Sequence, residues 1–223
     1  MIEEILLNQQ LGSLGLLNFL KHSLRVAVEY GVSPEALVLL LLLPLLATII
    51  ALARYLFGVR GFGIFTPIML SVAFLIAGLE SGFFMFLIIL GVATLTRLSI
   101  RQFKIHYLSR MAFLIWFVSL VALGGLVWFK VPIFSLLILI LLAESFVEAQ
   151  IGKRLSEVVK MTIEALVLSV GGALFLSFQP LRLFAISQPE ILVFATLALN
   201  ITVGRFSGLR LTEYRRFKKL LGK

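Results

Sequence analysis

Long apolar runs alternate with short basic breaks along this chain, and the alternation sets the elements. Ser33-Pro34 opens the first run, residues 36–53, interrupted only by Pro44 and Thr48, with Arg54 at its exit. The third run extends from Gly82 to about Thr96, with Ser81 read as its cap, and the fourth covers 111–129. The fifth runs from Pro132 to about Val147, and the sixth covers 161–178. The seventh follows Ser187-Gln188-Pro189 and ends at Gly204. Runs of this kind suit a hydrocarbon core about 30 Å thick, which a helix of roughly 20 apolar residues crosses. Gly124-Gly125 and Gly171-Gly172 would allow close helix contact.

The second run, 61–79, is the one the others are arranged around. Gly61 and Gly63 loosen the backbone. Thr66-Pro67 reads as an N-cap followed by proline at the first helical position. A helix from Pro67 to Leu79 would be roughly 20 Å long, short of a full crossing. The rest of the crossing then falls to 61–66 in non-helical form, which is tolerated only where protein or a wet cavity surrounds it. A full helix starting near Gly63 with a tolerated proline is the plainer reading. The second and third runs meet at Gly78-Leu79-Glu80-Ser81-Gly82 and could form a re-entrant hairpin instead of two crossings.

Residues 1–32 are amphipathic. Leu14, Leu17, Leu20, Leu24 and Val28 recur at helical spacing among Lys21, His22, Arg25 and Glu29, which predicts an interfacial helix ending near Gly31. The expected organisation is this segment, a transmembrane domain over 33–206, and a basic tail over 207–223. The fold class is all-α: a polytopic membrane helical bundle of about seven transmembrane helices with a broken or re-entrant second helix.

Composition sharpens this reading. Hydrophobic residues make up 61% of the 223, against about 45–50% in soluble domains. There is no cysteine, hence no disulfide, thiolate metal site or cysteine nucleophile. The net charge of +9 does not call for nucleic acid, because the basic residues lie in the breaks. One set of breaks, with the tail, carries 16 of the 20 Lys and Arg; the other carries Lys21, Arg25, Lys130 and Arg182. The positive-inside rule then places the C-terminus in the cytoplasm and the N-terminus on the outer side. The acidic start, MIEEILLNQQ, does not resemble a cleavable signal.

Candidate chemistry is sparse. No HExxH, GxSxG or Walker loop is present. All 11 acidic residues are Glu, so an aspartyl dyad is impossible. His22 and His106 fall outside the runs, and the seventh run has no lysine for a Schiff base. No enzyme, cofactor or metal is expected. Glutamate at membrane depth remains. Glu144 and Glu148 lie four apart on one helix face, and Glu164 opens the sixth run. An ionisable group inside a membrane is a functional candidate. The structural alternative is ion pairing, with Glu144 neutralising Arg97 or Arg54. Asn200 reads as helix-packing glue.

Four stretches in order, GFGIFTPIMLSVAFLIAGL (61–79), LSRMAFL (108–114), ESFVEAQIG (144–152) and GRFSGLRLTEYRRF (204–217), resemble the bacterial seven-transmembrane domain usually fused to an inactive transglutaminase-like domain. The likeness covers about residue 36 to the end. Two departures stand out. Residues 1–32 cannot hold the transglutaminase-like portion, and Ser145 stands where the family tends to carry arginine. The resemblance implies association with ATP-grasp amide ligases, and so a part in making or exporting a peptide-like, glutamate-containing product. A fainter likeness is to the small membrane subunit of poly-gamma-glutamate synthesis.

The leading reading is a non-enzymatic membrane component. Its site would combine the broken helix (Gly61, Gly63, Thr66, Pro67), a basic cytoplasmic rim (Arg60, Arg97, Arg101, Lys104, Arg110) and the glutamates Glu144, Glu148 and Glu164. Its partners would be the lipid bilayer, a cytoplasmic amide ligase and an extracytoplasmic transglutaminase-like protein. A secondary transporter or channel using the glutamates, and a structural anchor for an outside partner, are the alternatives.

Overall fold

The computed structural model describes residue 15 and residues 18–59, 62–100, 102 and 106–205. Arg60, Gly61, Arg101, Lys104, the tail beyond Arg205, and Leu14 and Leu17 of the amphipathic face lie outside the described residues. Nine helices follow one another within them: α1 (Phe19–Glu29), α2 (Pro34–Phe57), α3 (Phe65–Ala77), α4 (Leu79–Ile100), α5 (Tyr107–Gly125), α6 (Ile133–Gly152), α7 (Leu155–Ser177), α8 (Gln179–Ser187) and α9 (Pro189–Gly204). Of these, α2, α4, α5, α6 and α7 are long and apolar enough to cross a membrane singly. With α3 at 13 residues and α9 at 16, seven apolar helices occupy the seven runs. The protein is an all-helical polytopic bundle.

Several element ends differ from the sequence reading. Helix α3 starts at Phe65 with Ile64 as N-cap, so Thr66 is not the cap and Pro67 is its third residue. Helix α4 starts at Leu79, which places Ser81 inside its first turn. Helix α5 ends at Gly125, where Trp128 and Phe129 turn back onto the Gly125 carbonyl at 3.1 and 2.9 Å. Helix α7 begins six residues before the run it carries, at Leu155. The amphipathic helix α8 had no counterpart in the sequence reading, because Gln179-Pro180 looks like a break. Here Pro180 sits in the first turn, where a missing N–H costs nothing. Helices α8 and α9 meet at a bend of 107°.

The chain divides into two compact units, Met1–Gly58 with Phe175–Lys223, and Val59–Leu174. In the first, α9 packs against α2 and α1, and α8 packs against α2. Pro34 opens α2 and Gly58, at φ 68°, closes it by donating to the Arg54 carbonyl at 2.9 Å. Gly31 stops α1 at φ 86°, a conformation that glycine adopts without strain. A second tie is less expected. Glu190, 6% exposed, accepts from the backbone N–H of Lys21 at 3.1 Å. Lys21 is the third residue of α1, so its N–H has no intrahelical partner. A carboxylate from α9 thus does the work of a cap for α1.

In the second unit α4 packs against α5, α3 and α6, and α6 also packs against α3 and α5. Its core runs from Leu70, Ala73 and Phe74 of α3, through Met85, Phe86 and Ile89 of α4, to Leu139, Ala143 and Phe146 of α6. Small residues set the close approaches. A Cβ on Gly82 would lie 3.0 Å from Phe74 Cδ1 and 3.3 Å from Phe74 Cα, and one on Gly125 would lie 3.0 Å from the Met85 thioether. Gly124 beside it faces open space, so only one glycine of that pair makes a helix contact.

Candidate functional site

Helices α3 and α6 run antiparallel in matched register. Near one end, the Ser135 hydroxyl donates to the Ala73 carbonyl at 2.7 Å, fully buried. Near the other, the Phe62 and Phe146 rings lie 4.2 Å apart. Both pairs of positions are eleven residues apart along their chains, which on α6 is about 16 Å of helix rise. Helix α6 continues past Phe146 to Gly152, while the chain leading into α3 is non-helical at Phe62–Ile64. The result is a step, with the last turns of α6 standing beyond the start of α3.

A cavity of about 520 Å³ fills this step. Phe62, Gly63 and Thr66 line it from the start of α3, Ser145, Glu148 and Gly152 from the end of α6, and Lys153 and Met161 from the chain beyond. Gly63 and Thr66 of the predicted broken-helix site therefore do meet Glu148, and the departure at Ser145 falls on the cavity wall. Pro67 is buried beside them. Gly63 keeps a negative φ, since among the described residues only Gly31, Gly58 and Gly78 are positive. Its value lies in the space it leaves, because nothing stands within 4 Å of an added Cβ.

The polar groups around the cavity are under-partnered. Thr66 is only 6% exposed. The hydroxyls of Ser71, Thr94 and Ser169 each donate to the carbonyl four residues back, at 2.6–2.8 Å. Thr66 makes no such bond, because Phe62 lies outside the helix. Glu148 is exposed and has no ion-pair partner among the described residues. Lys153 Nζ is 3.1 Å from Met161 Sδ, a weak acceptor that leaves most of the ammonium's hydrogen-bonding capacity unused.

The other predicted residues are dispersed. Glu144 is half-buried on α6, one turn before Glu148, and does not line the cavity. Glu164 lies on α7 with its carboxylate 4.0 Å from Lys160 Nζ. Arg97 is held by a neutral residue: its guanidinium donates to Gln150 Oε1 at 3.1 Å and to the Gln150 carbonyl at 2.9 Å. The Gln150 amide in turn donates to Thr94 Oγ1 at 2.8 Å. This relay joins α4 to α6 beside the cavity, and sequence reasoning passed over it by looking for a carboxylate. Arg110, at the start of α5, is half-buried. Among the described residues no three His, Cys, Asp or Glu side chains are placed to hold a metal ion. The arrangement offers one anion, one cation and two hydroxyls, those of Thr66 and Ser145, around the cavity, which is equipment for binding.

No curated protein and no solved structure matches the chain. Residues 16–221 match the family described as seven transmembrane helices usually fused to an inactive transglutaminase, and the chain belongs to that family as an integral membrane protein.

Proposed function

We propose that the protein is a non-enzymatic membrane component that supports the synthesis or export of a peptide-like, glutamate-containing product with an ATP-grasp-type amide ligase. The observation that carries this reading is the convergence at one end of the second unit. The start of α3, the cavity and the cations Arg97, Arg110 and Lys153 all belong to that end. A helix start favours negative charge nearby, and a ring of Lys and Arg steers anionic partners. The cytoplasm is the side assigned to this end by its basic residues. The rim would dock the ligase or its anionic product, with Arg60, Arg101 and Lys104 from the connecting segments completing it. An extracytoplasmic transglutaminase-like partner would sit on the opposite side, in keeping with the usual domain fusion in the family.

The double variant Arg101→Glu/Lys104→Glu tests this. Ligase co-purification and product export should both be lost while the amount of protein in the membrane is unchanged. Export and ligase association that both persist would remove the docking reading.

A further inference from the structure

We propose that the cavity at the start of α3 binds a zwitterion of amino-acid or short-peptide size, its ammonium on Glu148 and its anionic group on Lys153. This deepens the docking reading by naming ligand chemistry, and it rests on the cavity being a binding site rather than on any ligase.

Three observations lead there. Glu148 and Lys153 line one cavity and form no ion pair with each other: five positions apart, with Lys153 in extended backbone just past the end of α6, they are not neighbours on one helix face. Opposite charges that share a cavity without pairing leave two complementary positions open. Four helical steps and one extended step separate their backbones by roughly 9 Å along the chain direction. An amino acid or dipeptide, at about 3.3–3.6 Å per residue, fits between them. Second, Lys153 spends its one described contact on the thioether of Met161 at 3.1 Å. That contact orients the ammonium and does not neutralise it. Third, Thr66 lines the cavity while only 6% of the residue is exposed. Its hydroxyl can donate to or accept from a group that enters the cavity. Thr66 lies in the first turn of α3, next to N–H groups that have no intrahelical acceptor. The anionic group of the ligand would meet Lys153, Thr66 and these N–H groups together. The floor is apolar, with Phe62 packed on Phe146, so it accommodates small aliphatic side chains.

An ammonium a few ångströms from an anion is also the chemistry of a phosphatidylethanolamine headgroup, and the test separates the two sources. The full chain is reconstituted in nanodiscs of phosphatidylglycerol alone and titrated calorimetrically with L-alanyl-L-alanine. Dialanine should bind, and its N-acetyl and C-amide forms, each lacking one charge, should bind at least about tenfold more weakly, since each loses one ionic contact. Glu148→Gln and Lys153→Gln should each produce a similar loss. Both residues are exposed, and unchanged melting temperatures confirm that the variants are folded. Thr66→Val should weaken dialanine binding by a smaller factor.

In discs containing phosphatidylethanolamine, loss of dialanine binding, with the lipid retained by the parent protein and not by the two charge variants in native mass spectrometry, identifies the headgroup as the source. Unchanged dialanine binding there identifies a soluble ligand. Either result supports the site. The proposal is overturned if neither probe is retained, if the singly charged analogues bind as well as dialanine, or if both charge variants bind like the parent. Ligase association is read in a separate pull-down, so its loss and the loss of zwitterion binding are distinguishable.

Discussion

At the scale of single residues, the polar groups that organise the molecule are not the ones a search for charge pairs selects. Glu144 suggests itself as a counter-ion for Arg97, yet the guanidinium is held by Gln150, through its side-chain oxygen at 3.1 Å and its carbonyl at 2.9 Å. A neutral amide serves because it both accepts from Arg97 and donates to Thr94, whose hydroxyl passes the chain on to the Leu90 carbonyl at 2.8 Å. Gln150→Leu would remove the middle of this relay while leaving the backbone acceptor. Hydrogen bonds to charged groups contribute about 1.5–3 kcal/mol, and the half-exposed setting of Arg97 points to the lower end. A loss of about 1–2 kcal/mol is expected in reversible unfolding from mixed micelles, with Gln150→Glu intermediate because it keeps the acceptor for Arg97 but loses the donor to Thr94. A leucine variant as stable as the parent would show the relay to be incidental. Glu190 was hidden from the sequence for a different reason. Its partner is a backbone N–H 169 positions away, which no local spacing announces.

Among elements, the α3–α4 hairpin was largely legible. The 13-residue length of α3 matches the short-helix reading of 61–79, in which glycine and proline at the head of the run interrupt it, rather than the full helix from near Gly63 that is the alternative. Its start does not match. Any of the first four N–H groups of a helix lacks a partner, so proline is tolerated at several first-turn positions and does not fix which one it holds. Pro67 proved to be the third residue rather than the first. The same tolerance concealed α8, whose Gln179-Pro180 start reads equally well as a loop. What the sequence could not convey is how closely the two arms of the hairpin approach. The chain turns at Gly78, φ 84°, and Gly82 then rests on α3. A Cβ there would lie 3.0 Å from the Phe74 ring, 3.2 Å from Ala77 Cβ and 3.3 Å from Phe74 Cα. The ring edge can give way, but the backbone atom cannot do so without moving the helix. Gly82→Val should therefore cost about 1–3 kcal/mol, as overpacking in a dense core does, and should lower the thermal midpoint in nanodiscs. Val at Gly91, where an added Cβ meets nothing within 4 Å, should be close to neutral. Equal effects at the two glycines would show that the hairpin is not closely packed.

For the whole molecule, the distribution of charge makes a claim about topology that reaches the turn between α3 and α4. Helix α4 has 22 residues, about 33 Å of rise and enough for the hydrocarbon core. Its last turns carry Arg97, tied to the end of α6. Leu79 and Glu80 then belong at the opposite face, beside the start of α6, where Ser135 reaches Ala73. Lys130, just before α6, shares that face, whereas Arg154 follows its far end. From the excess of Lys and Arg on the Arg154 side we propose that this side is cytoplasmic. The chain has no cysteine, so single cysteines report position without background. In intact cells an impermeant maleimide should label Glu80→Cys and Lys130→Cys and should spare Arg154→Cys until the membrane is opened. Labelling of Arg154→Cys alone would invert the orientation and move the cavity, with its Glu148 and Lys153, to the outside, where no cytoplasmic ligase could reach it. Protection of Glu80→Cys with labelling at Lys130→Cys would make residues 61–82 re-entrant. The step between α3 and α6 would then be one wall of a half-channel rather than a cup at the inner face, and the zwitterion would be held along a path instead of at its mouth.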